Sequence, residues 1–401
     1  MRRTSPAAVS ALVAAVLGWG CESELPEPGD DGGADEAAVE DSAADADGEA
    51  DAEGDAEGDA DPGDDGGEGV LDGDADVPPP CAPLATDYLP RESGSSTDDW
   101  PACISDDGTY HWIGTSIGTI ARIASFEQIA DLLWRRPTAP SAADFTDARV
   151  VYVDANGLDS RVQRREDLHY PEVPAADGAC TDPGVPELYP DRCAGPARIL
   201  PILNDAFAAG STGADPLLNA ARIEAALLWF LYLSPYKESY TCTTTPADCD
   251  SAWAYYTGGE DRAGGLGLST YVPALNGETH DRIWDGLLAV RCWKNLDNET
   301  GVSTDTDLRD LARAQLDRAM LRAVALVVRD RLDAVAAAAA DEARDAAWAF
   351  VQILGGVLDR EATARDAAAA AVLRAELARA DATAVDVPAA QAALDALFPC
   401  P

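Results

Sequence analysis

Between residues 216 and 233 apolar side chains occupy almost every helical position, and Ile223, Leu227, Leu228, Phe230, Leu231 and Tyr232 leave hardly any polar face. A helix that is apolar all round belongs at the centre of a bundle. Around it the pattern is amphipathic. Over residues 126–134, Phe126, Ile129, Leu133 and Trp134 fall near one face of a run that Ser125 can cap and Pro137 ends. Ala148, Val151 and Tyr152 keep helical spacing over residues 145–152, although residues 150–153 read equally well as a strand. Ile283, Leu287, Leu288 and Val290 continue the helical period over residues 278–296. From residue 305 to 398 the chain is nearly continuous helix by propensity, rich in Ala, Leu and Arg with Asp and Arg paired at short spacing, and Gly355-Gly356 and Pro388 divide it. Long helices joined by short breaks predict a mainly α, antiparallel helical bundle. The alanine run 336–340 also permits close helix approach.

The N-terminus follows a different pattern. Two arginines precede a mostly apolar run, residues 7–17, and then Gly18-Trp19-Gly20-Cys21, the order of a secretory signal. The run is too short to span a bilayer. The small-x-small-Cys ending resembles the lipobox of bacterial lipoproteins, with Gly18 departing from the usual leucine. That resemblance implies removal of residues 1–20, acylation of Cys21, and membrane attachment through the lipid, outside the cytoplasm at the outer membrane or cell surface.

Residues 22–80 hold 24 Asp or Glu and no Lys or Arg, interleaved with Ala and Gly, so nothing there can be buried and a disordered, extended acidic stalk is expected. The stalk accounts for 24 of the net −43; Arg2 and Arg3 add two positive charges, leaving −21 for residues 81–401. Both parts are acidic, which excludes nucleic acid as an expected partner. Glu53, Asp55, Glu57, Gly58 and Asp64 approach calcium-loop spacing, but Pro62 and the lack of flanking helices favour a solvated spacer.

Setting Cys21 aside leaves eight cysteines, at 81, 103, 180, 193, 242, 249, 292 and 400, an even set that implies disulfides. No C-x-x-C occurs and none of the three histidines stands at zinc-finger spacing. Cys242 with Cys249 and Cys180 with Cys193 are nearest in sequence and flanked by loop residues; the remaining expected pairs are Cys81 with Cys103 and Cys292 with Cys400. Residues 81–401 are thus expected to form one helical domain with long disulfide-stapled loops.

Candidate chemistry is sparse. There is no G-x-S-x-G, H-E-x-x-H or P-loop, so catalysis is not expected. Glu166, Asp167, His169 and Glu172 lie close in sequence and offer donors suited to iron, or else form a polar loop ending at Pro171. Glu278, His280, Asp281 and Asp285 gather at a helix start, where acidic residues also complement the helix dipole. Glu224 lies inside the apolar helix and must be paired; Arg222 or Arg291 could serve, or it could share a site with His280 and Asp281.

The segment Ala252-Trp253-Ala254-Tyr255-Tyr256-Thr257-Gly258, preceded by Asp250 and followed by a glycine-rich stretch, resembles the D-x-x-W-A-F-Y-x-G signature of the low-iron-inducible periplasmic protein family, which includes algal iron-assimilating proteins. Residues 148–157 are similar to that family's early A-x-x-I-Y-x-x-G segment, Arg222-x-Glu224 to an R-x-E on its central helix, and residues 347–354 to its late alanine-aromatic helix. The chain departs from the pattern in a lengthened cysteine loop before the signature and a tyrosine in place of the phenylalanine. The resemblance implies capture of iron or a small iron chelate without catalysis. Tyr255 and Tyr256 would then be ferric ligands, although aromatics at this spacing also suit a core. The alternative is an envelope domain that binds a protein or glycan and no metal.

Overall fold

The central helix owes its position to its own sequence. Pro216 opens it with the fixed φ of a first-turn proline, and the next 25 residues bury Ile223, Leu227, Leu228, Phe230, Leu231 and Tyr232 almost completely. In this computed structural model, which describes residues 81–91, 98–296 and 304–401, the helices are, in chain order, α1 (Ile117–Leu133), α2 (Ala142–Val153), α3 (Asp159–Val162), α4 (Val185–Leu188), α5 (Leu200–Ser211), α6 (Pro216–Thr241), α7 (Ala247–Thr257), α8 (Val272–Leu275), α9 (Gly277–Asn295), α10 (Thr306–Ala337), α11 (Asp341–Gly355), α12 (Asp359–Arg365), α13 (Ala367–Leu377) and α14 (Val387–Leu397). The signal segment, Cys21, the acidic stalk and its calcium-like spacing lie outside the described residues.

Helix α6 packs against α5, α7, α10 and α11, and α10 in turn against α9, α11 and α14. By length and hydropathy α6 could cross a membrane, but most of it is buried within the bundle. Side-chain partners fix α6 and α10 as antiparallel: Arg313 stacks on Tyr236, Asp317 accepts from Tyr232, and Arg331 reaches Glu224. Helices α9 and α10 approach closely because Gly286 has no side chain; a Cβ there would lie 2.7 Å from Leu316 Cα. Residues 81–91 lie against α10, held by Gln315, whose amide bonds both the backbone N–H and the carbonyl of Tyr88 at 2.9 and 3.0 Å.

Local expectations fared unevenly. The run beginning at Phe126 starts nine residues earlier, at Ile117, and Ser125 lies within it, donating to the carbonyl of Ala121 rather than capping. Residues 142–153 are helix, with Ser141 and Asp144 forming a capping box. The helix expected from residue 305 begins at Thr306, and Asp305 caps it, accepting from the N–H groups of Asp307 and Leu308. The first break after it falls at residues 338–340, inside the alanine run expected to be helical, because the chain reverses there to lay α11 on α6.

The disulfides are Cys81–Cys400, Cys103–Cys292, Cys180–Cys193 and Cys242–Cys249. The two local pairs are those expected from sequence. The expected Cys81–Cys103 and Cys292–Cys400 pairs are wrong: the segment holding Cys103 packs on α9 beside Cys292, and the chain's last residues return to Cys81.

Candidate functional site

The residues chosen from sequence as metal ligands fall into separate environments. His280 is buried on α9, its Nδ1 2.9 Å from the Tyr256 hydroxyl and its Nε2 2.9 Å from the carbonyl of Arg262. Asp281 pairs with Arg262 at 2.8 Å and Glu278 with Arg282 at 3.5 Å. Glu224 bonds to Arg331 at 2.8 Å and to the Tyr271 hydroxyl at 3.1 Å, so neither Arg222 nor Arg291 is its partner. The structure therefore joins His280 to Tyr256 but gives Glu224 different partners, and among the described residues no three His, Cys, Asp or Glu side chains are grouped to hold a metal. The glycine-flanked aromatic segment is core: Trp253 stacks on Tyr110 at 4.3 Å, Tyr255 packs edge-on to Phe230, and buried Asp250 anchors Tyr110 and the backbone of Ile113 and Gly114.

Asp285 is 8% exposed, with the nearest guanidinium, Arg262, 4.0 Å away. Burial pushes its carboxyl from an ordinary 3.8 up to about 6. A folded pKa above the unfolded one means the acid form favours folding; that contribution is present below 3.8 and is lost as pH rises through about 6. Asp285→Asn is therefore expected to stabilise the domain at pH 7 by on the order of 2 kcal/mol, and to have little effect at pH 3.5, in thermal or urea unfolding. Destabilisation at pH 7 would mean that the carboxylate makes a contact outweighing its burial.

The polar centre with the most chemistry is built around His169. Its position traces to the Cys180–Cys193 staple. Arg192, next to Cys193, donates to Glu166 and to the carbonyl of Tyr170, and its own carbonyl accepts from Asp167 N–H at 2.8 Å. Gly195 lets this loop close on residues 162–165, where a Cβ would meet the Val162 carbonyl oxygen at 2.0 Å. Asp167 then holds His169 Nδ1 at 2.5 Å, while Nε2 lies 3.0 Å from Asp317, a charge contact off the hydrogen-bond line. The ring stacks on Tyr236 at 3.8 Å. Asp317 also accepts from Tyr232 at 2.9 Å and from Arg360 at 3.2 Å. Glu166 is taken by Arg192, and Glu172 is exposed. Of the first sequence cluster only Asp167 and His169 enter this centre.

Burial alone would lower the pKa of His169, but Asp317 and Asp167 outweigh it and hold the imidazole above its usual value. Burial would likewise raise Asp317, yet His169 and Arg360 bring it well below the carboxylate range. The centre is thus a buried imidazole whose charged form two carboxylates favour against burial.

It borders a cleft of about 610 Å³ lined by Arg309, Arg313, Arg318, Arg360 and Arg365, against Asp310, Asp317 and Glu361. Most of these arginines have partners: Arg318 pairs with Asp87, Arg360 with Asp317 and Glu361, Arg365 with Glu361, and Arg309 with Asp310. Arg313 differs in making no side-chain hydrogen bond among the described residues, its one ion pair, with Asp310, being long. It is 8% exposed, has its guanidinium carbon 4.2 Å from the Tyr236 ring centre and 4.7 Å from that of Tyr240, and has Asp310 no nearer than 3.8 Å. Its buried Nε has no hydrogen-bond partner among the described residues, nor has that of Arg318 in the same cleft. The sequence held a signal for this cleft: Tyr232, Tyr236 and Tyr240 recur every four residues on α6, opposite Arg309, Arg313 and Asp317 at the same interval on α10.

Compared with known proteins, the chain matches no protein-family model, no curated protein and no solved structure.

Proposed function

We propose that residues 81–401 form a non-enzymatic binding domain, tethered in the cell envelope through a lipid on Cys21, that captures iron as an anionic chelate in the arginine-lined cleft. The observation that carries this reading is Arg313, a guanidinium buried against two tyrosines without the hydrogen bonds its charge calls for. A buried, unsatisfied guanidinium is costly unless an anion completes it, and its planar fork matches carboxylate geometry. The cleft volume is in the range of small-molecule sites.

The chelate is preferred to the bare ion on chemical grounds. Glu224, Glu278 and Asp281 each face an arginine, and His280 has both nitrogens in hydrogen-bond contact, so ligation by these groups would require breaking existing contacts. Five arginines line the cleft with Asp310, Asp317 and Glu361, and Asp87 pairs with Arg318 from outside the lining; the remaining positive charge suits an incoming anion. The resemblance of short segments to the low-iron-inducible family is what suggests iron; the charge of the cleft is what suggests an anion.

Calorimetric titration of the mature protein with ferric citrate, citrate and inorganic phosphate at about 0.15 M salt tests this. Ferric citrate is expected to bind saturably and more tightly than citrate. Arg313→Gln should weaken it about 10- to 100-fold, the usual range for a charge-assisted hydrogen bond, while leaving the melting temperature unchanged or higher. Equal affinity for citrate and ferric citrate would retain an anion site and remove iron from it. Absence of binding, or an unaffected Arg313→Gln, would sink the reading.

A further inference from the structure

A second cleft, of about 600 Å³, opens near Arg331, and its character is the opposite of the first. Its walls are Ala220 and Ala221 of α6 and Ala346 and Ala347 of α11, with Trp134 beside them and Glu224 among the lining residues. The break at residues 338–340 keeps it open, since α10 ends at Ala337 and α11 begins at Asp341.

Glu224 is 2% exposed, and both of its hydrogen bonds, from Arg331 and from Tyr271, fall on Oε1. Its Oε2 accepts nothing from the described residues, although the side chain is buried and lines the cleft. An acceptor left in this position loses most of its hydration without gaining a partner. The other groups nearby are committed: Trp134 Nε1 donates to the Tyr271 hydroxyl at 3.1 Å, Arg136 pairs with Asp144 at 2.6 Å, and the Arg331 guanidinium lies over the Phe350 ring at 4.1 Å.

We infer that this alanine-walled cleft is a second ligand site, for a compact neutral molecule with an apolar body and one O–H or N–H donor directed at Glu224 Oε2. Charge selects the ligand class. Arg331 pairs with Glu224, Arg135 acts on it through space and Arg136 lines the same cleft, so a cation brought there would be repelled, while an anion would meet the free carboxylate oxygen. A neutral donor satisfies Oε2 without adding charge to a buried pair. Alanine walls give contact area without competing donors, and a cleft of this volume holds a small molecule rather than a folded segment.

The test uses the whole mature protein, Trp fluorescence and two probes of nearly equal shape, 2-naphthol and 2-methoxynaphthalene, which lacks the donor. Wild type is expected to bind 2-naphthol about tenfold more tightly, the worth of one hydrogen bond to a charged acceptor. Glu224→Gln, which can keep its oxygen on Arg331 and turn its amide to the cleft, should bring the two probes within about twofold. Ala334→Trp, at an exposed position lining the cleft, should abolish binding of both without involving the buried pair. Arg313→Gln should leave 2-naphthol binding unchanged, which separates this site from the chelate cleft. Equal affinities for the two probes in wild type, or unchanged binding in Ala334→Trp, would overturn the inference even if Glu224→Gln fails to fold.

Discussion

Replacing Cys81 and Cys400 together by serine is expected to cost the domain about 5 kcal/mol of unfolding free energy, and replacing Cys103 and Cys292 about the same. The bridges span 319 and 189 residues, so each removes a large share of the unfolded chain's freedom. The Cys180–Cys193 and Cys242–Cys249 bridges span 13 and 7 residues and should contribute about 3 kcal/mol or less. The local bridges have a different consequence. Cys193 adjoins Arg192, which positions Asp167, so Cys180→Ser with Cys193→Ser should loosen the His169 centre and weaken ferric citrate binding beyond what its stability cost explains. Urea unfolding of the four double-serine variants, followed by far-UV circular dichroism with m-values compared, gives the order. If the short-loop variants lose as much stability as the long-loop ones, chain entropy is not what these bridges supply.

The long bridges also mark the limit of the sequence. Apolar periodicity places α6 at the centre because a helix without a polar face has only one stable location, and it identifies Glu224 as a buried charge for the same reason. Cys242–Cys249 and Cys180–Cys193 are legible because each closes a loop that cannot extend far. Which distant cysteines meet depends instead on where the ends of the chain return, and no local pattern encodes that. The break at residues 338–340 was hidden likewise: alanine favours continuing the helix, and the packing of α11 on α6 overrides it. In the candidate cleft, Arg309, Arg313 and Asp317 on α10 read as intrahelical charge pairing. Only the antiparallel tyrosines of α6 show that one of these arginines is stacked and left without hydrogen bonds. The histidines carry two readings in the sequence, since side chains suited to metal are equally suited to the buried hydrogen bonds in which His280 is found.

Asp317→Asn is expected to destabilise the domain by about 3–5 kcal/mol at pH 6, the cost of leaving a buried charge unpaired. Asp317 lies against His169, Arg360 and the Tyr232 hydroxyl, and asparagine keeps the shape while removing the charge that both cations face. The pH dependence separates the two partners. In the native protein His169 has a raised pKa, so its contribution is fully present below 6.5 and is lost as pH rises through that raised value. Asp317 is held low, so its own contribution persists to acid pH and does not fade between pH 6 and 9. In Asp317→Asn the imidazole loses one of two carboxylates and burial favours its neutral form, so the variant gains little from protonation. The difference between wild type and variant should therefore be greatest near pH 6 and shrink toward pH 9, where only the Arg360 share remains. His169→Gln should abolish that slope while keeping most of the residual cost of Asp317→Asn in the double variant. Urea denaturation of the four proteins across this range measures it; a difference that stays constant or grows with pH would show that His169 is not the charge Asp317 compensates.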